Sequence, residues 1–220
     1  MNSLRVMKVS LKDLQIRLLD QSFKHQSHHL GSAFSTLPIL FEIFQEKKKT
    51  DKLVLSNGHA SASLYIALEA FHGHSSDVYF ETMGDHPKRN LELDVDCSTG
   101  SLGMGITVAV GMALADFQRT VYCVISDGEC AEGSVWEALR FASMQRLSNL
   151  KIYVNINNFV AYDEIDGVKL AKEIQAVNPN VIIRHTSLYP FDDYGLQAHY
   201  MKMTEEEYVE LRGVLCDLTS

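Results

Sequence analysis

A chain of 220 residues with 46% hydrophobic side chains can bury one large core. Its 28 acidic against 20 basic residues leave a net charge of −8, which argues against a nucleic-acid groove or an anionic membrane surface as partner. Four cysteines, Cys97, Cys123, Cys130 and Cys216, make no Cys-x-x-Cys pair; with no signal peptide or long apolar span, the expected setting is reduced, soluble and cytoplasmic.

Leu4, Met7, Leu11, Leu14, Leu18 and Leu19 recur near a 3.6 period and predict one amphipathic helix over 3–24, or two broken around Ser10. The stretch from Gln26 to Ser32, with His28, His29 and Gly31, is too polar and glycine-marked to continue it. A helix resumes over 34–48, with Leu37, Leu40, Phe41 and Phe44 on one face. Lys47, Lys48 and Lys49 sit in its last turn, where cations suit the helix dipole. A short strand over 52–56 leads through Asn57-Gly58-His59-Ala60 into a buried helix over 61–71. The loop expected over 72–99 carries Gly84-Asp85-His86-Pro87 and runs into Ser98-Thr99-Gly100-Ser101-Leu102-Gly103-Met104-Gly105. Loops of that length inside a compact domain are functional or disordered, and the glycine spacing points to function. A small-residue helix follows over 106–117.

Two β-branched runs, one starting at Val121 and the other at Lys151, predict buried strands. Between them Val135, Leu139, Ala142 and Leu147 keep helical spacing over 134–146. A strand–helix–strand unit makes the strands parallel with a right-handed crossover, so both end on one sheet edge. There Asp127 and Asn157 would project together, and a carboxylate beside an amide oxygen suits a hard cation such as Mg2+ that also takes diphosphate oxygens. Gly128 lets a phosphate approach the backbone, and the helix start behind it offers free N–H groups. Asp-Gly alone is often a plain turn; the spacing to Asn157-Asn158 makes the pattern specific. A strand over 160–165, a helix over 168–177, a strand over 181–186, an irregular stretch over 190–202 and a helix over 205–215 complete the chain. The alternation predicts an α/β fold, a mostly parallel sheet with helices on both faces, as one domain over 1–220.

His28, His29, His59 and His86 lie in glycine-flanked clusters, and no two have zinc-site spacing on one helix. Singly, each reads as a satisfied surface residue; together they suggest a polar pocket whose groups titrate near neutral pH. The order His-x-Gly, Leu-Ser-Asn-Gly-His-Ala, Gly-x-His-Pro, Ser-Thr-Gly-Ser-Leu-Gly-x-Gly, Asp-Gly-Glu-x-x-Glu-Gly and Asn resembles transketolase, and more narrowly the separately encoded N-terminal half of split transketolases. The resemblance is dense from Ser27 to about Phe159 and thinner around Val181 to His199. It implies a thiamine diphosphate-binding fold in which Asp127, Asn157 and the Phe159 carbonyl hold Mg2+ or another divalent cation such as Ca2+. It further implies His59, Gly100, Leu102, Gly128 and Glu129 as cofactor contacts. His29, His59, His86 and His199 would move protons on sugar hydroxyls, and Glu132 would stand at the subunit interface. Without the resemblance, Glu132 reads as a carboxylate in the first turn of a helix, where it suits the dipole. The implied reaction is transfer of a two-carbon ketol unit between sugar substrates.

Four features depart from the family pattern. Ser126 replaces the glycine before the aspartate, and Leu30 replaces the proline after the first histidine. The segment after Asn158 is shortened, and Ser187-Leu188-Tyr189-Pro190 replaces a Lys-Gly run. These gaps suggest a trimmed, specialised relative. No pyrimidine-binding domain is visible, so the resemblance implies a heterotetramer with a separate C-terminal-type transketolase subunit. Two alternatives stay open: another thiamine diphosphate-dependent carboligase or decarboxylase subunit, and a non-catalytic subunit that has lost the cofactor.

Overall fold

The computed structural model describes residues 9–160 and 162–217. Helix α1 (Leu11–Lys24) starts at Ser10, where the hydroxyl accepts the Asp13 N–H and the Asp13 carboxylate accepts the Ser10 N–H, a reciprocal cap. The part of the expected helix over 3–8 lies outside the described residues. Helix α2 (Leu30–Glu46) begins four residues earlier than its periodicity suggests and keeps Pro38 inside. Its start is set by tertiary contact: His29, in the left-handed region at φ 59°, donates its N–H to the His199 carbonyl.

Strands β1 (Lys52–Leu55), β2 (Val121–Ser126), β3 (Leu150–Ile156) and β4 (Ile182–His185) form one parallel sheet in the order β1-β2-β3-β4. The period-two alternation of strands sorts the core into two layers. Leu53, Leu55, Tyr122, Val124 and Tyr153 pack with α1, α2, and α3 (Ser61–His72). Val54, Cys123, Ile125, Ile152, Val154 and Ile156 pack against α5 (Gly105–Ala115), α6 (Gly133–Met144) and α7 (Gly167–Val177). Helices therefore cover both faces, which explains why β2 is buried at every position. Helix α8 (Glu205–Asp217) closes the chain beside α1. Among the described residues, no helix is long and apolar enough to cross a membrane.

Two expectations need correction. The loop expected over 72–99 contains helix α4 (Ser76–Met83), capped by Ser75 and burying Tyr79, Phe80 and Met83. Its eight residues are too few for a periodic signal. The strand expected over 160–165 is not one. Asn158 is left-handed at φ 71° and turns the chain out of the sheet. Phe159 and Glu164 then bridge, Val160 donates to the Asp163 carbonyl, and Ile165 returns to the Asn158 carbonyl. The place beside β3 is taken by β4 instead.

Candidate active site

All four strands point their carboxyl ends to one edge, where open parallel sheets bind ligands. A cavity of about 220 Å³ opens there, lined by residues at or just past the ends of β1, β2 and β3 and by residues of the loops beyond, Leu188 after β4 among them. Asp127 and Asn157 meet across β2 and β3. The Asp127 Oδ2 atom accepts the N–H groups of Asn157 and Asn158, both at 2.8 Å, and its Oδ1 accepts the Gly128 N–H at 3.0 Å. Burial pushes the Asp127 carboxyl up to about 6, against these backbone hydrogen bonds.

The Asn157 side chain is oriented from behind. Its Nδ2 donates to Ser35 Oγ at 3.0 Å and its Oδ1 accepts the Phe159 N–H at 2.9 Å. Ser35 Oγ also accepts from Asn155 Nδ2 at 3.0 Å, and Thr36 Oγ1 accepts from both Asn155 and Asn57 at 3.1 Å. Thr186, just past β4, donates to Asn155 Oδ1 at 2.6 Å. This buried amide–hydroxyl network was not legible in the sequence: Ser35 and Thr36 lie inside a helix that reads as plain core. The available signal was Asn155, an amide within the apolar run over 152–156.

Four histidines, His29, His59, His86 and His199, gather in the same cavity. His29 Nδ1 and His199 Nε2 are 3.1 Å apart, and the His29 ring lies 5.3 Å from that of His59 and 6.4 Å from that of His86. Burial first and the neighbouring imidazoles second hold His29 down to about 4 and His59 to about 3; burial also lowers His199. Three of the rings are thus neutral at pH 7, and the short His29–His199 contact shares one proton between a donor and an acceptor. The sequence suggested groups that titrate near neutrality, whereas burial and crowding hold His29 and His59 well below it.

His29, His59, His86, His199, Gly100, Leu102, Asp127, Gly128, Asn157 and Phe159 all line the cavity. Two expected site residues do not. Glu129 is wholly buried behind the cavity, with Oε1 accepting from Ser56 Oγ and from the Gly103 N–H, each at 2.8 Å. Its carboxyl is raised to about 7, chiefly by burial. Glu132 is exposed outside the cavity, at the start of α6. Ser126 lines the wall, and its hydroxyl accepts the Glu129 N–H at 3.3 Å. The Ser-x-x-Glu spacing, a capping-box signature, was the sequence signal for that pairing.

The donor set fits a diphosphate held through a cation. Among the described residues no lysine or arginine lines the cavity, so none of them neutralises Asp127 or an incoming phosphate. The Asn57 Oδ1 atom is buried beside it without a hydrogen-bond partner, an orphan that buried polar atoms seldom remain. Among the described residues, no three His, Cys, Asp or Glu side chains group around a possible metal, so a cation at Asp127 would draw on amide and carbonyl oxygens, the ligands of a hard ion.

Comparison with known proteins accords with this geometry. The family model described as transketolase, thiamine diphosphate binding domain, matches residues 7–177. A 6-deoxy-6-sulfo-D-fructose transketolase subunit of Clostridium sp. (strain MSTE9) is 33% identical over 172 residues, 69% of this chain and 60% of that one. An apulose-4-phosphate transketolase subunit of Phocaeicola vulgatus is 32% identical over 164 residues, 64% of this chain and 57% of that one. The chain thus spans about three fifths of the length of these curated relatives. A transketolase structure from Leishmania mexicana superposes with a TM-score of 0.77 at 20% identity, over 96% of this chain and 42% of that one, a likeness of fold. With the family model covering most of the sequence and its strand-end residues gathered in one cavity, the chain belongs to the transketolase thiamine diphosphate-binding domain family.

Proposed function

We propose that this chain is the diphosphate-binding subunit of a two-component, transketolase-like transferase that moves a two-carbon ketol unit between sugar or sugar phosphate substrates. The whole of 1–220 acts as one cytoplasmic domain, shortened after residue 158. The observation that carries the reading is the Asp127 carboxylate, buried with no cationic side chain among the described residues lining its cavity and tied to Asn157 across the strand ends. Asp127, the Asn157 amide oxygen and the Phe159 carbonyl would hold Mg2+, or another divalent cation such as Ca2+. Gly128, Gly100, Leu102 and His59 would lie against thiamine diphosphate.

When bound, the cofactor supplies the electron sink for cleaving and forming the carbon–carbon bond. The chain's own residues supply position and protons. Neutral His29 and His199 accept or return a proton at the Nδ1–Nε2 contact, and His59 and His86 face the same space. Excluding water and fixing the substrate would fall jointly to these rings and to Leu188 and Leu196 on the cavity wall.

A second polypeptide with a pyrimidine-binding domain completes the enzyme, as two copies of each chain. Support comes from the word subunit in the two relatives' names, and from the surface of α5. That helix carries no charge and exposes Val108 and Leu114, with Met104 and Phe117 exposed at its ends, as a face covered in an assembly would. Glu132 would stand in this interface. Calorimetry of thiamine diphosphate with Mg2+, using the chain and its partner, tests the reading. Saturable binding that disappears in Asp127→Ala is expected; no binding by the wild-type pair overturns it.

A further inference from the structure

Ser126 stands where the family pattern has glycine, and the structure shows what its side chain does. The Ser126 hydroxyl accepts the Glu129 N–H at 3.3 Å, while Glu129 Oε2 accepts the Ser126 N–H at 3.3 Å. This reciprocal pairing has the geometry of a capping box, closed around Asp127 and Gly128. The other oxygen of Glu129 reaches further. It accepts from Ser56 at the end of β1 and from the Gly103 N–H in the glycine loop. Ser56 Oγ in turn accepts the Ile106 N–H at 3.1 Å, at the start of α5.

One carboxylate with no exposed surface therefore joins three segments. Each of the three contributes to the cavity wall: Asn57 next to Ser56, Asp127 and Gly128 next to Ser126, and Gly100 and Leu102 next to Gly103. The fit is close. Gly103 is left-handed at φ 77°, and a Cβ at Gly105 would come within 2.6 Å of the Ser56 backbone. A buried carboxylate is costly unless satisfied, and here three donors from three segments satisfy it. Serine at 126 also has fewer backbone states to lose than glycine would, so the turn is ordered before any ligand arrives.

We propose that the Ser126–Glu129 pair is a positioning device that presets the Asp127–Gly128 turn and the 100–105 loop for the cofactor. It takes the place of the bare glycine of the family pattern, and it rests on the cofactor reading above. Glu129 is on this account a positioning residue that never touches the ligand.

The test uses the full chain with Ser126→Gly, Glu129→Gln and the double variant. Amide hydrogen exchange is followed without cofactor over 100–106 and 126–130, and thiamine diphosphate affinity with Mg2+ is measured in the presence of the partner. Glu129→Gln should speed exchange in both segments and weaken cofactor affinity about tenfold, the usual loss when a supporting residue is removed. Turnover at saturating cofactor should fall far less. Ser126→Gly should speed exchange over 126–130 alone, and the double variant should lose less affinity than the two single losses combined. Unchanged exchange in both segments, or a uniform rise across the whole chain with a lowered melting temperature, would overturn the proposal. Should Glu129→Gln fail to fold, Ser126→Gly and Ser126→Ala carry the same comparison at the turn. No uptake by the wild-type pair would sink the cofactor reading instead, and exchange would still decide whether the pair holds the two loops.

Discussion

Ser35 has one hydroxyl oxygen, and two buried amides, Asn155 and Asn157, donate to it at 3.0 Å. Replacing it by alanine leaves Asn157 Nδ2 without an acceptor, whereas Asn155 keeps Thr36. A buried donor left unmade costs about 1–3 kcal/mol. Ser35→Ala should lower the unfolding free energy by that much, read by urea denaturation, and should also free the Asn157 amide to turn its nitrogen toward the cation. Cofactor binding should therefore weaken more at limiting Mg2+ than at saturating Mg2+. Equal weakening at both would show that Ser35 does not orient Asn157. The two asparagines illustrate what could and could not be read beforehand. Asn157 follows a strand and pairs with a motif, so its chemistry was legible; Ser35 sits inside an apolar helix, and only packing shows which polar group it meets.

At the scale of elements, the site is built by close approach of two turns. A Cβ on Gly58 would come within 2.7 Å of the Gly100 nitrogen and the Thr99 carbonyl carbon, both backbone atoms that cannot step aside. Thr99 is itself pinned, its hydroxyl donating to the Leu55 carbonyl at 2.7 Å. Gly58→Ala should push the 99–103 segment off the end of β1 and destabilise the fold by about 1–3 kcal/mol, the range for overpacking. Urea denaturation measures the loss, and a stability equal to wild type would mean the loop yields freely. Strands and long helices were legible because their periodicity spans many residues. Helix α4 and the turn after Asn158 were not, since eight residues in one case and a single left-handed asparagine in the other depend on neighbours remote in sequence.

For the molecule as a whole, titration of the site opposes itself. His29 and His59 stay neutral down to about 4 and about 3, whereas an unfolded chain protonates histidine near 6.5. Between those limits the unfolded chain binds more protons, so their effect is a loss of stability as pH falls from about 6.5. Asp127 and Glu129 act the other way. Their values are raised to about 6 and about 7, so the stability they contribute is present below about 4, the ordinary carboxylate range, and is lost as pH rises through 6 and 7. Without cofactor, His29→Asn should flatten the acid limb of stability between pH 6.5 and 4 and leave the limb above pH 6.5 as it is. Denaturation midpoints across that range decide it, and an unaltered acid limb would assign the loss to other groups.

What the sequence by itself determined is the run of long helices and of the four sheet strands, and the parallel pair that brings Asp127 to Asn157, because alternation and spacing are local properties that a regular backbone converts directly into position. The resemblance to transketolase rested on the same kind of short, ordered motif. Only the tertiary structure decided that four histidines far apart in the chain line one cavity, that burial there keeps His29 and His59 neutral, and that Glu129 braces the cavity from behind instead of lining it. Burial and the approach of remote segments set both outcomes, and neither quantity is carried by any stretch of sequence alone.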